Sequence, residues 1–343
     1  MSFGRVQIFL CALIGALFFA ILLSMSAGQY DIPMEAVVAS FAHAAGLPVL
    51  TDVVVTPEQE AVLWHIRLPR TLVGIMVGAG LGISGAVLQG IFSNPLADPG
   101  IIGVSSGASV GAVLAIGLGV TAGNVLALPV FAFTGAILAV SLTVALSMRH
   151  GRIPVMTLLL AGVVVGMFLG ACTAAILTVM NEQKMQQYLF WTIGGLDYRR
   201  WDHVLLGIGP ISVGVSVMVL LARHLNLLAF GEVEARAAGM PVTAFRLLFL
   251  TLAALTTAAG VCISGSIGFV GLVVPHMVRL LIGPDHRRLL PASLLAGAVF
   301  LVLCDSLGRI LLSGMEIRVG IMTAFIGTPY FLYLLRRHIK EGG

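Results

Sequence analysis

The residues of this chain best placed to do chemistry are arginines that sit where a long apolar run begins. In His65-Ile66-Arg67-Leu68-Pro69-Arg70, two guanidinium groups bracket a proline just ahead of a stretch without charges. Two chemistries suit that placement. The apolar stems can snorkel so that the heads meet lipid phosphates, or the planar forks can receive the carboxylates of an acidic partner. A second polar segment runs from Arg223 to Arg246, and within it Glu232, Glu234, Ala235, Arg236 and Ala237 read as a short helix. Gly239 stops that helix and Pro241 stands at the start of the next one. Its mixed charges suit either a compact connector or a surface that fits a partner's groove. The third candidate is Asp305, an acid deep in an apolar run, with Arg309 one helical turn further on as its partner.

Other chemistries lack their residues. The chain has no GxxxxGK[ST] loop and its only lysines are Lys184 and Lys340, so a nucleotide site would have to sit on another polypeptide. Cys11, Cys172, Cys262 and Cys304 are scattered through apolar runs and read as packing residues. No HExxH and no Cys/His cluster occurs, so neither a metal site nor a catalytic constellation is expected.

These residues are carried on membrane-spanning elements. With 59% hydrophobic and only 10% charged residues, the 343-residue chain lies far from the composition of a soluble domain. Windows of about twenty residues give about ten spans, near 7–27, 68–91, 99–119, 124–148, 154–180, 203–222, 243–263, 267–283, 289–312 and 317–335. The first is read as a span rather than a cleaved signal, being longer than a typical signal core. The span at 267–283 is short and holds Pro275, His276 and Arg279. With both termini cytoplasmic, the inner segments hold 12 cations against 5 acids and the outer ones 7 against 10. This asymmetry obeys the positive-inside rule and makes the basic balance a matter of orientation, with no nucleic-acid partner implied.

The chain also repeats itself. Residues 71–103 align without a gap on 251–283, with Thr71/Thr251, Leu72/Leu252, Ala79/Ala259, Gly80/Gly260, Ile83/Ile263, Ser84/Ser264, Gly85/Gly265, Pro95/Pro275 and Gly103/Gly283 identical. The copies start at spans two and seven. An offset of five spans reverses direction, so an all-α polytopic fold with an inverted five-helix repeat is expected, its halves at about 68–180 and 243–335 of one permease domain covering 1–343. Glycines in small-xxx-small spacing, such as Gly74, Gly78 and Gly82, allow close helix packing in lipid. The outer segment 28–67 contains a stretch, IPMEAVVASFAHAAG, able to form a short interfacial helix. In the other outer segment, 181–203, Gly194-Gly195 suggests a partly re-entrant turn over a pore mouth.

HIRLPR (65–70), ISGAVLQGIFSNPLADPGIIGVSSGA (83–108), LLLAGV (158–163), FGEVEARAAGMP (230–241), GSIGFVGLVVPHMVRL (265–280), DHR (285–287) and RVGIMTAFIGTPYFLYLLRR (318–337) together resemble the permeases of type II ABC importers, over nearly the whole chain. That family imports ferric siderophores, haem and cobalamin. The resemblance implies a transporter subunit of the cytoplasmic (inner) membrane, not an enzyme. It further implies a second permease copy, in a homodimer, two ATPase subunits that hold ATP and Mg, and a periplasmic or lipid-anchored binding protein. This chain itself would carry no cofactor. By resemblance, Arg67, Arg70 and Arg309 receive acidic side chains of the binding protein. Gly231, Glu232, Glu234, Ala235, Arg236 and Gly239, within about 226–241, belong to the coupling helices in the ATPase cleft, and 154–180 lines the pore. One departure is visible: cobalamin carriers have small hydroxyl residues just before LLLAG, where this chain has Pro154, Val155 and Met156. A Val/Met ring closes by apolar contact and dewetting, which favours an iron chelate over cobalamin as cargo. An ion-coupled secondary transporter is the alternative of a different class, and Asp305 would be its titratable group.

Overall fold

The computed structural model describes residues 3–47, 53–149, 151–312 and 314–341, with side chains described from 4 to 332 within these ranges. Asp52 and the side chains of Arg336, Arg337, Lys340 and Glu341, which enter the charge count, lie outside the described residues. The described chain is helical. In order, α1 (Phe3–Ser26) leads to the short α2 (Met34–Ala44), and α3 (Pro57–Val62) passes through a π-turn at Leu63–Arg67 into α4 (Leu68–Phe92). Next come α5 (Val104–Gly117), α6 (Ala127–Ser147), α7 (Val155–Thr178) and the polar α8 (Glu182–Ile193). The second half holds α9 (Trp201–Leu220), the short pair α10 (Ala222–Phe230) and α11 (Glu232–Ala237), then α12 (Val242–Ser264), α13 (Val270–Ile282), α14 (His286–Ile310) and α15 (Val319–Glu341).

Among the described residues, seven stretches are long and apolar enough to cross a membrane: Gly4–Ser26, Pro57–Phe92, Ala127–Ser147, Val155–Thr178, Trp201–Leu220, Val242–Ser264 and His286–Ile310. Val104–Gly117, Val270–Ile282 and Val319–Leu332 are shorter apolar helices. Together they coincide with the ten expected spans, and α2 forms where a short helix was expected. The span expected from residue 99 is cut back at its start, because α5 begins only at Val104. Asp98 accepts the Gly100 N–H at 2.7 Å and caps a 3-10 turn at Pro99–Ile102, and Gly103, at φ 87°, breaks the axis before α5 starts. At about 1.5 Å per residue, the 14-residue α5 is about 21 Å long, short of a bilayer core.

The repeat is visible in the packing. Exchanging α4 for α12, α5 for α13, α6 for α14 and α7 for α15 maps the pair α4/α14 onto α12/α6, α4/α13 onto α12/α5, α5/α6 onto α13/α14, and α6/α7 onto α14/α15; all eight pairs are in contact. Between α4 and α12, Thr256 lies beside Gly80 and Val77 beside Gly260. The numbering rises on one helix as it falls on the other, so the two run antiparallel, and exchanging the copies carries one contact almost onto the other. That is the signature of an inverted repeat.

The ungapped alignment holds structurally only as far as Gly85/Gly265. Gly85 is inside α4, whereas Gly265, at φ 76°, follows the end of α12 where the last turn of α8 crosses it, with the Trp191 carbonyl 2.3 Å from where a Cβ would stand. Beyond that point Pro95 lies in a loop and Pro275 inside α13, so their coincidence in sequence is not one of structure. The expected role of the small residues is met at the α4/α14 crossing. A Cβ on Gly78 would stand 2.3 Å from the Gly297 carbonyl oxygen, and one on Gly82 2.3 Å from that of Ser293.

Candidate functional site: two charged ends and the helix between them

At the end of the bundle that carries α2 and α8, the expected outer end, buried charge converges from five parts of the chain. Arg70 rises from the start of α4, immediately after Pro69 and the π-turn that leads into this helix. Its Nη2 and Nε donate to Asp305 at 2.8 and 3.0 Å, its Nη1 donates to Glu316 at 2.8 Å, and Asp197 lies 3.9 Å away. Arg309 lies 3.4 Å from Asp305, one turn along α14, so the expected pairing is present. Arg309 also donates to the Ser24 carbonyl at 3.0 Å and to the Ser24 hydroxyl at 2.9 Å. Arg67 donates to the carbonyls of Met25 and Tyr30. Asp197 meets Arg318 at 3.2 Å, and Arg318 also covers the Phe190 ring at 4.6 Å. Fork-to-carboxylate pairs of this kind offset their desolvation where several hydrogen bonds satisfy the same group, as they do at Arg70.

Arg67, Arg70 and Arg309 are thus brought together, with no more than 7% of any of them exposed. Their partners here are the chain's own carboxylates and carbonyls. Arg70 also borders a cavity of about 630 Å³ together with His65, Ile66, Arg200, Glu316 and Arg318, whereas Arg67 and Arg309 are turned toward α1. Sequence reasoning missed Asp197, Glu316, Arg318 and Ser24. The first three signalled only as charge in outer segments and Ser24 not at all, since the contacts join residues as far apart as Ser24 and Arg309.

Gly194-Gly195 does mark a close passage of backbone. Gly194 has φ 75°, and a Cβ there would stand 2.5 Å from the Ser266 carbonyl oxygen. Gly195 N–H donates to Ser264 at 2.8 Å, and a Cβ on Gly320 would meet the Ile193 carbonyl at 1.9 Å. The loop after α8 is therefore held between the end of α12 and the start of α15.

At the opposite end, α10 and α11 stand where the short helical segment was expected. Gly231, at φ 127°, separates them and Gly239, at φ 81°, follows α11, a backbone conformation that glycine adopts without strain. Glu232 pairs with Arg236 across one turn and with Arg246 on α12 at 3.2 Å. Ala235 packs inward, while Phe230 and Val233 are both 76% exposed. Beside this pair, Pro154 caps the start of α7, and Met156 is 69% exposed. Met156, Leu160, Val163 and Met167 recur at helical spacing, and all are exposed on the isolated chain. Among the described residues no group of three or more His, Cys, Asp or Glu side chains is placed to hold a metal ion.

A profile of the FecCD transport family matches residues 9–337. The cobalamin import system permease protein BtuC of Halobacterium salinarum is 44% identical over 322 residues, covering 90% of this chain and 86% of the relative. The hemin transport system permease protein HmuU of Yersinia pestis is 40% identical over 285 residues, covering 81% and 85%. A solved inward-facing structure of a transporter assigned to the metal-chelate type of ABC transporter superposes with a TM-score of 0.84 at 33% identity, covering 96% of this chain and 98% of that one.

Proposed function

Because the chain belongs to the FecCD transport family, we propose that it forms the translocation pathway through which a binding-protein-dependent ABC importer moves an iron chelate, a ferric siderophore or haem, across the cytoplasmic membrane. The observation that carries this reading is the separation of two polar ends by an exposed apolar face. Arginines, with Asp197 and Glu316 among them, surround a cavity at the α2/α8 end, a pair of short helices offers Phe230 and Val233 at the other, and the face of α7 through Met156 and Met167 runs between.

In this reading a second copy of the chain covers the α7 face, so that the two faces line a central pore closed at the α10/α11 end by Val155 and Met156. Apolar walls bind the polar periphery of a chelate weakly and let it leave once access changes sides. A binding protein delivers the chelate at the α2/α8 end. Its acidic lobes meet Arg70 and the rim cations Arg200 and Arg318, with Arg67 and Arg309 adding positive field from behind. Two ATPase subunits, which hold ATP and Mg, receive α10 and α11, and their closure tilts the two halves of the repeat to alternate access. Asp305 is paired with both Arg70 and Arg309, which speaks for a structural role and against an ion-coupling one.

The test is the ATPase rate of the permease assembled with its ATPase in nanodiscs, with binding protein added after loading with ferric siderophore, haem or cobalamin in turn. Stimulation by an iron-loaded form alone is expected. Stimulation by cobalamin alone would reassign the cargo, and ion-gradient-driven uptake by the chain without an ATPase would overturn the importer reading.

A further inference from the structure

Arg246 lies in the first turns of α12, and only 7% of its surface is exposed. Its Nη1 donates to the main-chain carbonyl of Ile153 at 2.8 Å, and Nη1 and Nη2 each stand 3.2 Å from Oε2 of Glu232. Glu232 is the first residue of α11. Ile153 is fully buried and immediately precedes Pro154, Val155 and Met156. One guanidinium thus spans three elements: α12, α11 and the entry to α7.

The connection is stiff at each of its joints. A planar guanidinium holds two acceptors at a fixed angle, and burial strengthens the contact with Ile153. On the α7 side, Arg149 and Arg152 exchange N–H to carbonyl bonds, both at 2.9 Å, so the turn ahead of Ile153 is closed on itself. On the α11 side, Glu232 is held a second time by Arg236. The neighbouring α10 is tied elsewhere. Asn226 donates to Asp285 at 2.7 Å and accepts from the His286 N–H at 2.8 Å, which joins α10 to the start of α14. His224 of α10 stacks on Phe245 of α12 with ring centroids 4.4 Å apart. Among these joints, only the Arg246 connection reaches the residues ahead of α7.

We propose that Arg246 is a positioning residue that carries displacement of α11 to the start of α7, so that movement of Glu232 pulls the Ile153 peptide and with it Val155 and Met156. This rests on the reading that an ATPase engages α10 and α11. No group titrates and no bond is made or broken beyond the hydrogen bonds that travel with the guanidinium.

The experiment uses the full chain assembled with its ATPase in nanodiscs, with Cys11 and Cys172, the two cysteines that are not buried, replaced by Ser and Met156→Cys introduced. The readouts are the ATPase rate and the rate at which a water-soluble maleimide labels position 156, without nucleotide and trapped with ATP and vanadate. With Arg246 intact, trapping is expected to change the labelling rate at least about fivefold. In Arg246→Met, which leaves Glu232 paired with Arg236, hydrolysis is expected within about twofold of the parent while the labelling change falls below about twofold. Arg246→Lys keeps a buried cation but cannot hold both acceptors in a fork, and it is expected to fall between; it also serves if Arg246→Met fails to assemble. A merely structural role would lower both readouts together through loss of assembly. A labelling change that survives Arg246→Met, or Arg246→Lys where that variant stands in, overturns the connection alone. Absence of both hydrolysis and a labelling response with Arg246 intact overturns the ATPase reading, and the connection with it.

Discussion

Arg70 shows what a single side chain can hold. It is bidentate to Asp305 and also binds Glu316, and both its carboxylates lie more than 230 residues away in sequence. Removing one partner of a buried pair leaves a charge that water no longer solvates, at a cost of about 3–5 kcal/mol. Arg70→Met is therefore expected to lower the thermal denaturation temperature of the purified permease far more than Glu316→Gln, whose carboxylate is 32% exposed. The double variant Arg70→Met, Asp305→Asn is expected to regain more than half of the loss, and equal melting of the single variant and the parent would remove the pair from the account of stability. The rim behaves differently. Arg200 has a side chain 65% exposed, so Arg200→Glu is expected to leave stability unchanged and slow binding-protein association several-fold at low salt, an effect that fades as salt rises. Stopped-flow association at two ionic strengths reads both outcomes. The sequence made the Asp305–Arg309 pair legible, because one helical turn is local information. It did not reveal Asp197, Glu316 or Ser24, because only tertiary packing brings those groups to the arginines.

Among helices, approach distance is set by residues that have no side chain. The α4/α14 crossing places Gly78 where a Cβ would meet the Gly297 carbonyl at 2.3 Å and the Leu301 side chain at 2.9 Å. Gly78→Ala forces two backbones apart and is expected to cost about 1–3 kcal/mol. In contrast, Gly15 on α1 has nothing within 4 Å of an added Cβ, so Gly15→Ala is expected to be neutral or to stabilise by up to about 1 kcal/mol through helix propensity. Thermal melts of the two variants side by side check the contrast, and equal effects would contradict it. Span positions were legible from hydropathy because lipid requires about twenty apolar residues to cross it. The ends of α5 and α13 were less so, since the Asp98 cap, the kink at Gly103 and the positive φ of Phe269 interrupt apolar runs that carry no break in hydropathy.

For the molecule as a whole, the two halves share one interior, because α4 is buried between α12, α13 and α14 rather than among its own repeat partners. The duplication was legible from the Ile-Ser-Gly triplet in each copy. Its geometry was not, since nothing in the aligned letters places Thr256 against Gly80. Nor could the alignment show that it fails after Gly265, where the last turn of α8 crosses the end of α12.

The loop through Gly194 and Gly195 bears on how such a chain can be divided. A protein made of two related halves suggests that each could be produced as its own polypeptide and recombined. Here the strand of chain joining them is gripped on both sides by the second half, so free ends at 194/195 would have to find their way into an occupied crevice during assembly. Gly119 and Gly123 flank a turn where an added Cβ would meet nothing within 4 Å. Co-expressed fragments broken at 121/122 are expected to reconstitute uptake, whereas fragments broken at 194/195 are not; equal recovery from both would show the grip to be dispensable. Bisection therefore succeeds inside a repeat and fails at its border, the reverse of what the duplication alone suggests.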